Sequence, residues 1–431
     1  MSTMPPREIA LIKSSVRWRR LLEKSFHRRN KTGARKLALC IVEGLVFLKL
    51  AQQRKLEPGK LLSRLRAEDS IPVLQECFDR AKLKYHSTLF VLPHLHVSSR
   101  LTSALTKIVR ALRALRVATL SPSLLGKIYE TDLSGHRSGV FFTPDFISEY
   151  LVRSTLKPLI GKTKFPAILD PACGAGAFPL QMFEQLLKTR GAKVSFKEKQ
   201  RVLLRCIHGV DIDAFGVELT KLSLLLKLFE GSAPAPVPDL SLNIHCGNAL
   251  LASGFPELNP LNFTRAFPGI ARAGGFDAVI VNPPYINITQ LTKQHGPSIR
   301  NYLERYFRTA RGNFDLFVPF MEQSLKRLRA GGRLGIIVPN KFALKSFAQR
   351  CRQMLLNQTR VESIADITPM CNRSPEGVYP YILICEKTPA PAQHKIRIID
   401  VHSRADLKPK SSFQSVPQNS LKSESGFDIH A

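Results

Sequence analysis

Apolar residues recur three and four positions apart through residues 37–130, the spacing of amphipathic helices. Leu101, Leu105, Ile108, Leu112 and Leu115 share one such face, with Arg110, Arg113 and Arg116 off it. Pro58, Pro72 and Pro93 divide the region into several helices. The apolar run Leu37–Leu50 is interrupted by Glu43 and Lys49 and is too short to span a bilayer, so it reads as a buried helix. From about residue 134 the pattern changes to short β-type runs alternating with helices. The runs Ala167–Leu169, Cys206–Val210, Leu242–His245, Phe276–Val281, Arg333–Val338, Val361–Ile367 and Tyr379–Cys385 read as strands. Gln181–Lys188, Phe215–Phe229, Phe314–Leu328 and Ser346–Leu356 read as helices between most of them. That alternation predicts an α/β fold with a parallel or mostly parallel doubly wound sheet, which binds ligands at the carboxyl ends of its strands. After Pro389 the chain is rich in Pro, Ser and Lys, with one β-like run at Lys395–Val401; residues 405–431 are expected to be loosely ordered. The expected division is a basic helical region over 1–130, an α/β domain over 131–390 and a short tail over 391–431.

Charge narrows the partner. The 431 residues include 64 Lys and Arg against 33 Asp and Glu, a formal +31. Such an excess repels itself unless a polyanion is near, and nucleic acid is the first candidate. The basic stretch 1–36, which contains Trp18, reads either as a solvated helical arm or as an arm touching phosphates. Eight scattered cysteines without a C-x-x-C pair support neither zinc nor a disulfide framework; they read as free thiols of a cytoplasmic protein. No secretory signal is visible, and neither metal nor membrane is expected.

Two clusters carry the chemistry. Asp170-Pro171-Ala172-Cys173-Gly174-Ala175-Gly176 follows the first predicted strand and opens a helix. Its glycines permit a tight turn and close approach of a ligand, and the helix N-terminus suits a carboxylate. No Gly-Lys-Ser/Thr follows, which disfavours a nucleotide phosphate site. The second strand ends at Asp211, placed to accept from ribose hydroxyls, with Asp213 as the better helix cap. The third ends at Asn248, a candidate for an adenine edge or a plain turn residue. The fourth runs into Asn282-Pro283-Pro284-Tyr285. The lone pair of an exocyclic base amine is delocalised into its ring, so the amine is a poor nucleophile. The Asn282 side-chain oxygen and the Pro283 carbonyl can hold its N–H groups and stabilise the positive charge that develops. Tyr285 offers a ring on which a base can stack, worth roughly 1–3 kcal/mol.

With these residues in this order, the chain resembles the N6-adenine DNA methyltransferases of the gamma group, most of all the methylase portion of type IIG restriction-modification proteins. The resemblance extends to Leu125–Glu130, Ser138–Pro144, Arg311–Phe317 and Gly331–Phe342, and covers roughly residues 125–388. It implies a Rossmann-like seven-stranded methyltransferase sheet behind the basic helical N-terminal region, S-adenosylmethionine as cofactor and DNA as substrate. Phe142, Thr143 and Pro144 would border the methionine end of the cofactor. Asp170, Ala172, Gly174 and Gly176 would form its main pocket, and Asp211 would take the ribose. Asn248 stands where many members have Asp. Asn282, Pro283, Pro284 and Tyr285 would hold the target base, with Phe347 a second aromatic or simply a core residue of its helix.

Members flip the base out of the duplex, and phosphate contacts offset the unstacking. The connection Ile286–Gly312, with Lys293, Arg300, Arg305, Arg308, Arg311 and three aromatics, is expected either to line the DNA side of the pocket or to be a solvated loop with a short helix. Type IIG proteins continue into a large target-recognition domain, whereas this sequence stops at Ala431; borrowed recognition from a separate subunit and an inactive remnant are both open. N4-cytosine, RNA or protein-glutamine methylation and a non-catalytic DNA-binding subunit are the alternative readings.

Overall fold

The computed structural model describes residues 4–26, 31–58, 62, 64–65, 70–115, 120–133, 143–191, 193–371, 380–408, 412–421 and 427. Among the described residues nine strands form one sheet: β1 (Ile168–Asp170), β2 (Ile207–Asp211), β3 (Ile244–Cys246), β4 (Phe276–Val281), β5 (Leu328–Pro339), β6 (Arg360–Asp366), β7 (Pro380–Glu386), β8 (Lys395–Asp400) and β9 (Gln414–Pro417). Their order is β3-β2-β1-β4-β5-β7-β6-β8-β9. The first five in that order are mutually parallel, and β7 runs antiparallel between β5 and β6. The expected α/β sheet of methyltransferase type is therefore present.

Its width needs correction. The predicted seven strands are joined by β8, which is the β-like run expected at Lys395–Val401 and lies parallel to β6 with Ser363 opposite Arg397, and by β9, antiparallel to β8. Of the segment 405–431, expected to be loose, the described part adds β9 and reaches the core: Leu421 and Phe427 are buried, and the Phe427 ring meets Phe342 edge-on at 5.5 Å. Pro, Ser and Lys dominate that stretch by number, but the few apolar residues are placed at intervals that reach the core.

Both sheet faces are covered, so the inner strands are apolar on both sides. In β4, Ala278 and Ile280 point into one hydrophobic cluster and Val279 and Val281 into the other, the two-residue period of a strand. The first cluster continues from the sheet through the helix Ala214–Leu228 into the N-terminal helices Pro6–Ser25, Lys31–Gln53, Ser70–Tyr85, Ser99–Ala114 and Leu124–Leu133. The N-terminal helices therefore add a layer to one face of the sheet and share its core. Glu218 ties the layers together: its Oε2 accepts from Ser87 Oγ at 2.6 Å and from the Thr88 amide at 2.8 Å, while Lys221 pairs with Oε1 at 2.6 Å.

The helix Lys31–Gln53 is buried along 41–48, including Glu43. Burial, with Asp132 nearby, holds the Glu43 carboxyl well above its ordinary range. In the Ser99–Ala114 helix, Leu101, Leu105, Ile108 and Leu112 are buried as the periodicity predicts; Leu115 follows its end in extended backbone. The helix Phe196–Cys206 was not legible in advance, because charged residues outnumber its three buried positions, Val202, Leu203 and Cys206.

Candidate active site

The site is a cleft of about 530 Å³ at the carboxyl ends of β1 to β4, a volume suited to a nucleoside-sized ligand. Its floor is the turn between β1 and the helix Ala177–Lys188. Gly174 and Gly176 both take positive φ, +50° and +94°. At Gly176 a Cβ would lie 2.9 Å from Thr220 Oγ1, which donates to the Gly174 carbonyl at 2.9 Å, so only glycine lets the turn close on the helix Ala214–Leu228. At Gly174 a Cβ would meet nothing within 4 Å: the backbone there borders open space in the cleft it lines.

Asp211, at the tip of β2, fastens this turn. Its Oδ2 accepts from the Gly174 amide at 2.8 Å and its Oδ1 from the Asp213 amide at 2.8 Å, and it lines the cleft. Asp213 caps the helix Ala214–Leu228 through the Phe215 amide, and its other oxygen accepts from the Tyr129 hydroxyl. The Tyr129 ring lies 4.9 Å from that of Phe215. Asn248 lines the cleft at the end of β3; its Oδ1 accepts from the Leu250 amide at 3.0 Å in a local turn.

Asp170 is fully buried beneath the turn, with Oδ1 accepting from the Ala172 amide at 3.0 Å. Burial above all, with Asp211 adding to it, holds its carboxyl well above the ordinary range. Ala172 and Gly174 therefore face the cleft, while Asp170 and Gly176 shape it from below.

At the opposite end stands Asn282, just beyond β4. Its Nδ2 donates to Thr143 Oγ1 at 3.0 Å, and its Oδ1 accepts from the Tyr285 hydroxyl at 2.8 Å. The amide is thus held at both ends. Asn282, Pro283, Pro284 and Thr143 line the same cleft as the glycine turn. Tyr285 packs on the second hydrophobic cluster at the margin. Pro144 caps the helix Asp145–Leu156, while Phe142 lies outside the described residues, as does most of the Ser138–Pro144 segment. Phe347 is half-buried against Phe317, ring centres 6.1 Å apart, and does not reach the cleft.

Two motifs from the sequence meet behind Tyr285. The Leu316 amide donates to the Ile286 carbonyl at 2.8 Å, and Asn287 Nδ2 donates to Asp315 Oδ1 at 2.9 Å. The connection after the motif forms two helices, Ile288–His295 and Pro297–Tyr306, the first capped by Asn287 and the second opened by a proline. Leu291, Gln294, Ile299 and Leu303 form a wall of the cleft. Arg300 pairs with Glu304 and donates to the Gly312 carbonyl, and Arg311 donates to the Glu304 and Phe307 carbonyls. Those two arginines therefore hold the segment together, whereas Lys293, Arg305 and Arg308 are exposed.

Tyr129 and Glu130 line the cleft although no role was assigned to them from sequence. The signal was their place in the lead-in Leu125–Glu130, which packs on the glycine turn through Gly126 and Ala175. Burial pushes the Glu130 carboxyl up to about 8, against the opposing charge of Lys127.

Strand order and cleft define an α/β fold of the methyltransferase type. Residues 205–370 match the family of Eco57I restriction-modification methylases. The chain is 26% identical over 402 residues to the type II restriction enzyme and methyltransferase RM.Eco57I of Escherichia coli, covering 78% of this chain and 39% of that one. It is 23% identical to the adenine-specific methyltransferase PglX of Streptomyces coelicolor, over 52% of this chain and 21% of that one. The chain thus spans about two fifths or less of the length of these relatives. Two solved structures share the fold: the type IIL restriction-modification enzyme MmeI in complex with DNA, at 14% identity, TM-score 0.62, 94% of this chain and 60% of that one; and the type IIG restriction endonuclease BpuSI, at 16% identity, TM-score 0.55, 94% and 45%.

Proposed function

We propose that this chain is a DNA methyltransferase that uses S-adenosylmethionine to methylate the N6 amine of adenine within a restriction-modification or related defence system. The observation that carries the proposal is the Asn282 amide, clamped between Thr143 and Tyr285, in one cleft with a glycine turn and the Asp211 carboxylate. The relatives' restriction-modification methylase activities support the same reading.

The residues fit the cofactor. Gly174 lets backbone border open space, Asp211 brings a carboxylate to the rim for ribose hydroxyls, and Tyr129 and Leu250 supply walls. Asn248 would meet the adenine edge, with Ala172 beside the glycine turn and Thr143 near the methionine end. When bound, the cofactor supplies a methyl group on a sulfonium, a leaving group good enough that no strong base is required.

The rest falls to the chain. The amide clamp fixes which way Asn282 presents its oxygen, so that Oδ1 and the Pro283 carbonyl can accept from the two N–H groups of an extruded base. Accepting those hydrogens favours a tetrahedral nitrogen, returning the lone pair from the ring to the attacking direction. The dipoles are oriented before the base arrives, so little reorganisation accompanies transfer. The wall formed by Leu291, Ile299 and Leu303 excludes water from the same space. DNA is the substrate in this reading, a separate recognition subunit the protein partner, and the cytoplasm the setting. Among the described residues no helix is long and apolar enough to cross a membrane.

The test incubates the protein with labelled cofactor and mixed-sequence DNA, then digests the DNA to nucleosides. Label in N6-methyladenine is expected. Label in N4-methylcytosine moves the substrate and keeps the mechanism; label confined to protein or RNA overturns the DNA assignment.

A further inference from the structure

The positive charge is uneven along the chain. Residues 1–130 hold 26 Lys and Arg against 9 Asp and Glu, so +17 of the formal +31 lies on less than a third of the sequence. Part of it is organised. In the helix Pro6–Ser25 the exposed positions include Lys13, Arg17, Arg20 and Lys24, spaced four, three and four apart on one face. Glu8 is buried and Glu23 is paired with Arg19, so neither neutralises that face. The helix Ser99–Ala114 contains no acidic residue, and its exposed positions include Arg100, Lys107, Arg110 and Arg113. The two helices lie side by side over the buried helix Lys31–Gln53. None of these eight cations is in an ion pair among the described residues.

We propose that the adjoining outer faces of these two helices bind the phosphate backbone of double-stranded DNA, outside the cleft. Like charges at helical spacing oppose the helix that carries them, so a face of this kind is at its most stable beside a polyanion. Lys49 reports the same field from within: burial lowers its pKa, and Arg113 lowers it further.

The shape favours duplex over a lipid surface. A membrane-binding helix turns its apolar side outward, but here Leu11, Leu22, Leu101, Leu105, Ile108 and Leu112 face the protein core. Ile9 alone, 37% exposed, is a large apolar residue on the outer surface of the two helices. Lys13 to Lys24 span about 16 Å at the helical rise of about 1.5 Å per residue, and duplex DNA offers one phosphate charge per about 1.7 Å of axis, so every cation on the face has phosphates within reach.

The face is also tied to the site. The helix Leu124–Leu133, which brings Tyr129 and Glu130 to the cleft, packs on Pro6–Ser25; the Ser121 amide, just before it, donates to Glu8 Oε1 at 2.9 Å. Contacts here carry no sequence information. They would anchor duplex beside the extruded base while recognition comes from elsewhere. The inference rests on the DNA reading above.

The experiment measures affinity of the full chain for a fluorescent duplex between 50 and 200 mM salt. Two fourfold variants are compared with the parent: K13Q/R17Q/R20Q/K24Q and R100Q/K107Q/R110Q/R113Q. A third, K157Q/K162Q/K193Q/K197Q, removes four exposed charges elsewhere. Each lost phosphate contact lowers the slope of log affinity against log salt by about 0.9, so each helix variant is expected to flatten it by about 2 to 4 and the third by less than about 1. Cofactor affinity, read by calorimetry, should be unchanged in all three, which certifies the fold. Equal flattening in all three variants overturns the face, since overall charge would then account for it. Parent-like slopes in both helix variants overturn it too, as does loss of binding to phosphatidylserine vesicles with DNA binding intact. A parent that binds cofactor but no duplex defeats the underlying DNA reading instead.

Discussion

The two ends of the cleft are built differently. At the glycine-turn end, side chains mostly hold backbone: Asp211 reaches the Asp213 amide two residues on and the Gly174 amide 37 residues back, and Asn248 reaches Leu250. At the Asn282 end, side chain holds side chain, and one partner, Thr143, is 139 residues away. The first arrangement is fixed once β1 and β2 pair and the helix Ala214–Leu228 packs on the turn. The second exists only when the helix Asp145–Leu156, with Thr143 at its entrance, has docked on the sheet. For the proposed reaction, the difference implies a division of labour in which binding of the cofactor and activation of the amine can be damaged separately.

The sharpest break in that comparison is Asn282→Ala. It removes the oriented acceptor, and methyl transfer should fall at least about 100-fold, as for loss of one preorganised dipole. Cofactor affinity by calorimetry should stay within about threefold. An equal fall in both would mean that the two ends are one unit.

Gly176→Ala attacks the turn instead. The added Cβ meets Thr220 Oγ1 at 2.9 Å at a φ of +94°, so stability should drop by about 1–3 kcal/mol in urea unfolding. Gly174→Ala, with open space around its Cβ, should cost less, about 1 kcal/mol. Reversal of that order would show that strain, rather than close approach to Thr220, governs the turn.

The smallest effect is expected at Thr143→Val, which takes away the acceptor for Asn282 Nδ2 while conserving shape. A hydrogen bond of this kind is worth about 1 kcal/mol, so the single-turnover rate should fall about 3- to 10-fold with cofactor affinity unchanged.

The same contrast explains what could be read in advance. The glycine turn, Asp211 at a strand tip, Asp213 as cap and Asn282-Pro283-Pro284-Tyr285 after β4 are local patterns, and each lies where its pattern implies. The partnership of Thr143 with Asn282 was not legible, because nothing in either segment specifies the other. Nor was the double use of the Asp211 carboxylate, whose oxygens both serve backbone amides. The connection Ile286–Gly312 was ambiguous for a different reason. Its helices are short, and their buried residues, Ile288, Ile299 and Leu303, are too few to establish a period. Strand β8 was legible as the β-like run Lys395–Val401, whereas β9 lay in a stretch whose composition masked a few well-placed apolar residues.

The measurement that bears most directly on this division of labour is made on Asp211→Ala. Cofactor affinity is read by calorimetry, and the single-turnover transfer rate is followed as cofactor is raised to saturation. Loss of hydrogen bonds to a charged group costs about 1.5–3 kcal/mol, so affinity should weaken about 10- to 100-fold. The account predicts that the rate at saturating cofactor then returns to within about threefold of the parent. A rate that stays low at saturation would contradict it, because Asp211 would then be setting the geometry of transfer as well as holding the cofactor.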